Sequence, residues 1–263
     1  MNSAPPPTAF NRCNLPPWAI ASLEYQDSPQ PLEIDGARAT DRRLFAQLAA
    51  IADPEQRGQI FHDYLSVKFR LHEWSQHQAS ARTSLRHSYI RFLAHWGVDS
   101  NGHAGAVLKA WVESRFGLRA TYHKGRLATD PAARERYAAD RMKGAAQTMG
   151  VAMQFDLLYT YCQDELQRRH PKSTHLTLFR GTHDPEEYAV SGSEDGTLVH
   201  LNNLSSFTAN RETAWEFGSS VWEVQVPLTK VVFFSGLLPR HLLEGEAEYL
   251  VLGGQYRVKP VHF

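Results

Sequence analysis

The chain has 263 residues, enough to bury a substantial core as one large domain or as a catalytic domain carrying a helical extension. Lys plus Arg and Asp plus Glu each number 28, so the formal net charge is zero and neither a nucleic acid nor an anionic membrane is favoured as partner. A small molecule or a protein is the expected ligand. Cys13 and Cys162 stand far apart without CxxC spacing, which argues against a zinc site and for two packing thiols in a reducing compartment. The start of the chain has no basic segment followed by an apolar run, and no later apolar stretch is long enough to span a bilayer, so a cytoplasmic protein is expected.

Residues 1–40 are proline-rich, with Pro5 to Pro7, Pro16, Pro17, Pro29 and Pro31. This composition predicts an extended arm, and Leu15, Trp18, Ile20 and Tyr25 are apolar enough to dock it in a groove of the body. Residues 41–173 read as helical. Leu44, Leu48 and Ile51, then Ile60, Phe61, Tyr64, Leu65, Phe69 and Leu71, recur at three- and four-residue intervals, with Asp53-Pro54 as break and helix start. Further helices fit residues 82–95, 104–114, 131–142 and 148–170, separated at residues 97–102, at Gly117 and at Gly125. His72 and His77 are five apart, off the shared face that a zinc-binding helix requires. His87, His95, His103 and His123 also lack ligand spacing, and no metal is expected. Residues 99–106 match neither a phosphate loop nor a dinucleotide fingerprint.

From residue 174 to 263 the period changes to that of strands. Residues 175–181 alternate and end on Arg180-Gly181. A guanidinium at a strand end forks onto phosphate oxygens, and a neighbouring glycine lets backbone amides approach a flat ring. Residues 183–196 have the composition of a polar loop. Leu204 to Thr208 form a short strand carrying Ser205, Ser206 and Thr208, whose hydroxyls could hold a neighbouring carboxylate or a ribose. A helix follows at residues 210–217, with Ala214 and Phe217 on one face. Residues 221–226 and 231–234 supply two more strands. Residues 244–251 then form a strand headed by acids. Alternate residues share a face, so Glu246 and Glu248 point into one cleft, and the apolar Tyr249-Leu250-Val251 selects this pair over Glu244 and Glu246. Two acids on one face are best tolerated opposite a cationic ligand or transition state.

Taken together, Arg180-Gly181, then Ser205-Ser206-Phe207-Thr208 with Ala214 and Phe217-Gly218 behind it, then Glu246-Ala247-Glu248-Tyr249-Leu250, resemble the Arg-Ser-Glu class of mono-ADP-ribosyltransferases. The Pro16-Pro17-Trp18 arm, the long helical region and the motifs at residues 178–182 and 206–208 are similar to the bacterial members that modify dinitrogenase reductase, the iron protein of nitrogenase. Many members of the class read Ser-Thr-Ser where this chain has Ser206-Phe207-Thr208, which leaves Ser205 or Ser206 as the motif serine, the latter preferred.

The resemblance implies an α+β fold in which two packed sheets form an NAD cleft, with a largely helical N-terminal segment packed around them. It implies NAD as co-substrate, held by Arg180 at its phosphates and by Gly181, Ser205, Ser206, Thr208 and Phe217 around it. Glu248 would lie beneath the ribose, where a fixed carboxylate stabilises oxocarbenium-like charge, with Ser206 orienting it. Glu246 would orient an acceptor arginine and take its proton, because a guanidinium offers only donors. Dinitrogenase reductase is the implied protein substrate and a PII-type nitrogen regulatory protein an implied partner. An NAD glycohydrolase, which needs no Glu246, and a non-catalytic NAD- or partner-binding module are the competing readings.

Overall fold

Capping chemistry sets two helix ends in the first half, one start and one stop. The computed structural model describes residues 11–71, 88–145, 149–193, 196–243 and 248–261. Its longer helices are α1 (Arg42–Ala49), α2 (Pro54–Lys68), α3 (Tyr89–Val98), α4 (His103–Phe116), α5 (Pro131–Ala145) and α6 (Met149–Arg169). The Asp53 carboxylate accepts the Glu55 and Gln56 amides at 3.2 and 3.3 Å, with Pro54 as the first helical residue. Gly117, at φ 70°, donates its amide to the Glu113 carbonyl and closes α4. Helix α3 differs from expectation. It begins after Ser88, runs through Gly97 to Val98, and residues 82–87 of the expected helix lie outside the described residues.

Buried polar side chains fix the helices to α6. Arg57 of α2 forks onto Glu165 at 2.5 and 2.8 Å and also donates to the Ile51 and Ala52 carbonyls. Arg115 of α4 forks onto Asp156 at 2.7 and 2.9 Å, and the Trp111 indole donates to the same carboxylate. Gln163 and Tyr159 of α6 donate to carbonyls at residues 228–231, which ties the helix to the strand half. Cys162 is buried and free there, and its thiol pKa is pushed up by burial.

The strands are β1 (His175–Thr182), β2 (Ala189–Ser193), β3 (Gly196–Thr208), β4 (Ser220–Pro227), β5 (Val231–Phe234) and β6 (Glu248–Val261), with a short helix α7 (Arg211–Glu216) between β3 and β4. The class is α+β, and every pairing is antiparallel. Where two packed sheets were expected, hydrogen bonding joins the described strands into one six-stranded network in the order β2-β3-β1-β4-β6-β5, closed on itself because β3 also pairs with β6. Two sequence expectations are corrected. The polar loop at residues 183–196 contains a helical turn at Pro185–Tyr188 and strand β2, and the short strand at 204–208 is the end of the 13-residue β3. Val199, Leu201 and Leu204 are buried, but a bulge between Leu201 and Leu204 breaks the two-residue period that would have announced the whole strand. The bulge is used. Asn203 donates to the Lys109 and Leu118 carbonyls, and Asn202 donates to the Tyr122 carbonyl and accepts the Thr121 amide, so β3 is anchored to α4 and the turn after it.

The proline-rich arm, described from residue 11, is less extended than its composition suggests. Pro17 serves as a helical N1 residue, and single turns form at Pro17–Ile20 and Leu23–Asp27. Ile20 and Tyr25 are buried as expected, whereas Trp18 is 76% exposed and does not enter a groove. The arm lies on β6 where Gly254, at φ 112°, has no side chain to strike the Ala21 backbone, and the Gln255 amide donates to the Ala21 carbonyl at 2.8 Å. Among the described residues one large hydrophobic core runs from Cys13 to Val258 through arm, helices and strands, and a small second cluster gathers Ala106, Ala120 and Tyr137. Among the described residues no helix is long and apolar enough to cross a membrane.

The Arg57–Glu165 pair gives a direct test of this packing. Arg57→Met takes from Glu165, 1% exposed at its side chain, the guanidinium that forks onto it and leaves Arg169 Nε at 3.7 Å as its counter-charge, and is expected to lower unfolding free energy by about 3 kcal/mol in urea denaturation, the low end for a broken buried pair. A loss within error of zero would show that α2 is not fastened to α6 through this pair.

Candidate active site

Strand pairing alone brings two of the three motifs together. In the β3–β6 register Thr208 stands opposite Glu248 and Ser206 opposite Leu250, so Ser206 and Glu248 are diagonal neighbours on one face. The Ser206 hydroxyl donates to Glu248 Oε1 at 2.7 Å. Ser205 points the other way. It is buried, its hydroxyl faces the Asn202 carbonyl at 3.4 Å, and it does not meet the acid. Thr208 shares the face of Ser206 but is also buried, and its Oγ1 accepts the Asn210 amide at 3.1 Å, shaping the turn into α7.

Strand β1 supplies the third motif. Arg180 Nη1 donates to the carbonyl of Ser206 at 2.7 Å, and the guanidinium lies 5.8 and 5.9 Å from the Tyr188 and Phe207 ring centres. Its Nε is buried without a hydrogen-bond partner, and no carboxylate among the described residues pairs with it. A cation held in place but not neutralised suits an anionic ligand. Gly181 is glycine for a packing reason. A Cβ there would stand 2.0 Å from the Ala214 carbonyl, and one at Gly218 would stand 2.2 Å from the Thr182 amide, so the end of β1 and the residues closing α7 touch backbone to backbone. This contact puts Phe217, 58% exposed, beside Arg180-Gly181.

Glu248 sits where its charge is costly. Burial raises its pKa above the ordinary glutamate value, while hydrogen bonds from Ser206 and Trp96 oppose the shift. Its backbone is fixed as well. The Ser235 amide donates to the Glu248 carbonyl at 2.8 Å and the Glu248 amide donates to Ser235 Oγ at 3.0 Å. The carboxyl opens on a cavity of about 560 Å³ lined by Leu93, Gly97, Phe233, Leu238 and Arg240 among others, within the usual size of a small-molecule site.

The structure thus brings Arg180, Ser206 and Glu248 together, with Gly181 and Phe217 next to them and Ser205 turned away. Glu246 lies outside the described residues. So do His72, His77 and His87. His103 Nδ1 and His123 Nε2 both contact Asp140, at 2.8 and 3.1 Å, and Lys124 joins them at 2.7 Å. Among the described residues no group of histidines, cysteines and acids is arranged to hold a metal.

The profile of the dinitrogenase reductase ADP-ribosyltransferase (DRAT) family matches residues 10–260. The chain belongs to this family. A relative from Rhodospirillum rubrum, named NAD(+)--dinitrogen-reductase ADP-D-ribosyltransferase, is 38% identical over 258 residues, covering 95% of this chain and 93% of the relative. No solved structure matches. The match takes in the helical half of the dinitrogenase reductase ADP-ribosyltransferase chain as well as its strands, and that half contributes to the site. Trp96 of α3, 3% exposed, donates its indole N–H to Ser206 Oγ at 2.9 Å. Sequence reasoning missed Trp96 and Ser235. Neither belongs to a local motif, and Trp96 reaches Ser206 across 110 residues of chain.

The raised Glu248 pKa has a stability consequence whose sign is fixed. A native pKa above the unfolded one means that stability is fullest below the ordinary value of 4.5 and is lost as pH rises through the native pKa. Glu248→Gln, which keeps an oxygen for Ser206, is therefore expected to raise the melting temperature relative to the parent above neutral pH. The gain should vanish on acidification below pH 4.5. An equal difference at all pH values would show that Glu248 is not held in a desolvated position.

Proposed function

We propose that this protein transfers ADP-ribose from NAD to one arginine of dinitrogenase reductase, inactivating it. The observation that carries the reading is the Ser206–Glu248 hydrogen bond, formed beside an arginine that no carboxylate among the described residues neutralises. In this reading the Arg180 fork holds the NAD diphosphate and Phe217 flanks the dinucleotide. Glu248 lies under the nicotinamide-bearing ribose. When the carbon–nitrogen bond breaks, nicotinamide leaves with the electron pair and the ribose carbon becomes positive. A carboxylate fixed beneath it in a partly desolvated site stabilises that charge, and its backbone pinned by Ser235 requires no rearrangement as the charge develops. The acceptor nitrogen then bonds to the same carbon, and Glu246 orients the incoming guanidinium and receives the proton it must lose.

The finer fold assignment belongs with this proposal. The closed cycle β1–β4–β6–β3 is the counterpart of an ADP-ribosyltransferase core, whose cleft the α3 helix borders. The arm, the helical region and the strands act as one unit, supported by their shared core. The family relationship supports a PII-type regulator and a cytoplasmic setting, in which both NAD and dinitrogenase reductase are met.

Incubation with NAD labelled in the ADP-ribose part, in the presence of dinitrogenase reductase, tests the reading. Glu248→Gln should cut both protein labelling and nicotinamide release by at least about a hundredfold, with NAD affinity little changed, since the lost charge acts mainly in the transition state. Near-normal turnover in that variant would move the catalytic role elsewhere. Glu246→Gln should end labelling yet leave slow nicotinamide release, because water needs no guanidinium-orienting carboxylate; loss of both activities together would contradict the division of roles.

Calorimetry gives an independent check on Arg180. Arg180→Lys should weaken NAD binding by about tenfold, the worth of one lost charge-assisted hydrogen bond. Unchanged affinity would leave Arg180 as a structural contact to the Ser206 carbonyl.

A further inference from the structure

An indole N–H can donate a hydrogen bond and cannot accept one, whereas a serine hydroxyl has one proton to give and two lone pairs to receive with. Trp96 Nε1 lies 2.9 Å from Ser206 Oγ, so that oxygen is the acceptor of the pair. The single hydroxyl proton of Ser206 is then directed to Glu248 Oε1, 2.7 Å away. The order of donation runs one way, from Trp96 to Ser206 to Glu248. With the indole in place, the hydroxyl is fully used on its side facing α3, and rotating it away from the acid would break one bond without making another.

We propose that Trp96 is a positioning residue for the catalytic carboxylate, locking the Ser206 hydroxyl in the sense that donates to ionised Glu248. The inference rests on the proposed role of Glu248 and extends it to the helical half of the chain. An acceptor-only partner is what an ionised carboxylate is, and a hydroxyl forced to donate favours it over the protonated acid. Trp96 is suited to hold such a lock. It is 3% exposed, its helix continues past Gly97, whose missing side chain leaves Glu248 Oε2 3.7 Å from where a Cβ would sit, and Lys109 of α4 lies 5.8 Å from its ring centre. Lys109 is itself buried and tied to the Asn101 side chain and the Tyr122 carbonyl. It therefore stays against the indole face, an arrangement that strengthens the N–H as a donor.

The charged groups around Glu248 leave this hydrogen-bond chain as the means of tuning it. From α4 comes Lys109, behind the indole; from β1 comes Arg180, oriented by the Ser206 carbonyl; from the segment after β5 comes Arg240, on the wall of the same cavity. None of the three forms an ion pair with Glu248 among the described residues. Against burial, the Ser206 hydroxyl, with the Trp96 indole behind it, holds the Glu248 pKa down.

The test replaces the donor and keeps the shape. Trp96→Phe and a variant carrying benzothienylalanine at position 96, where sulfur stands for the N–H in a ring system of the same outline, are compared with the parent. Nicotinamide release is followed across pH, with melting temperature measured alongside. The benzothienyl side chain fills the indole's volume, so it reports on the donor even if Trp96→Phe is poorly folded. The expected result is an acid limb of kcat moved to higher pH in both variants, so that turnover falls several-fold more on the acid side of the parent's profile than on its alkaline plateau, while KM for NAD stays within about twofold. An acid limb left in place in the benzothienyl variant would overturn the role, since packing alone would lower activity evenly across pH. Glu248→Gln serves as control. If it is inactive while the limb does not move, only the Trp96 role fails, whereas an active Glu248→Gln removes the reading beneath it.

Discussion

The site depends on one register. Pairing Thr208 with Glu248 across β3 and β6 makes Ser206 the diagonal neighbour of the acid, and a slip of one residue would turn Ser205 toward it and Ser206 into the core. The pairing is long, running from Thr208↔Glu248 to Thr197↔Val258, so the geometry at its end is backed by many ladder bonds. The bulge at residues 202–203 gives that ladder a second task, since Asn202 and Asn203 bind the backbone around α4. The helices are thus attached to the strand that carries the serine, and α3 is held where Trp96 can reach it.

Burial and charge are set against each other at this point. Removing Glu248 from water penalises its ionised form, and the chain offsets this with directed donors and not with a cation, because a tightly paired carboxylate would have little field left for a positive ribose. Arg180 shows the complementary arrangement. It is oriented by a carbonyl, which fixes the guanidinium without cancelling its charge, and its Nε has no hydrogen-bond partner among the described residues. Elsewhere two buried arginines are neutralised, Arg57 by Glu165 and Arg115 by Asp156, and these pairs fasten helices to α6. Buried Lys109 and Lys230 rest instead on neutral acceptors.

Much of this was legible from residue types. Arg180-Gly181, Ser206 and Glu248 were each weak signals alone and were picked out by the order of three motifs that resembles the Arg-Ser-Glu class, while the capped helices α2 and α4 followed their Asp-Pro and Gly signals. Other features were hidden for physical reasons. β2 is built from Ser and Gly, which read as loop, and becomes a strand only by pairing with β3. The first half of β3 was masked by a bulge that breaks its alternation. Gly181 was read as room for a ligand, while the structure fills that room with α7. Trp18 looked like an anchor by hydrophobicity, yet Ile20 and Tyr25 take that part and the tryptophan faces solvent. Trp96 and Ser235 act only through tertiary contacts, so no local pattern could mark them.

The central claim is that Arg180, Ser206 and Glu248 form one NAD site. Crystals grown with a carbocyclic, non-hydrolysable NAD analogue test it most directly. The account predicts the diphosphate on the Arg180 guanidinium and the nicotinamide-bearing ring over the Ser206–Glu248 pair, with Phe217 alongside. Density for the analogue elsewhere, for example in the groove lined by Trp215 and Trp222, with the Glu248 cavity empty, would contradict it.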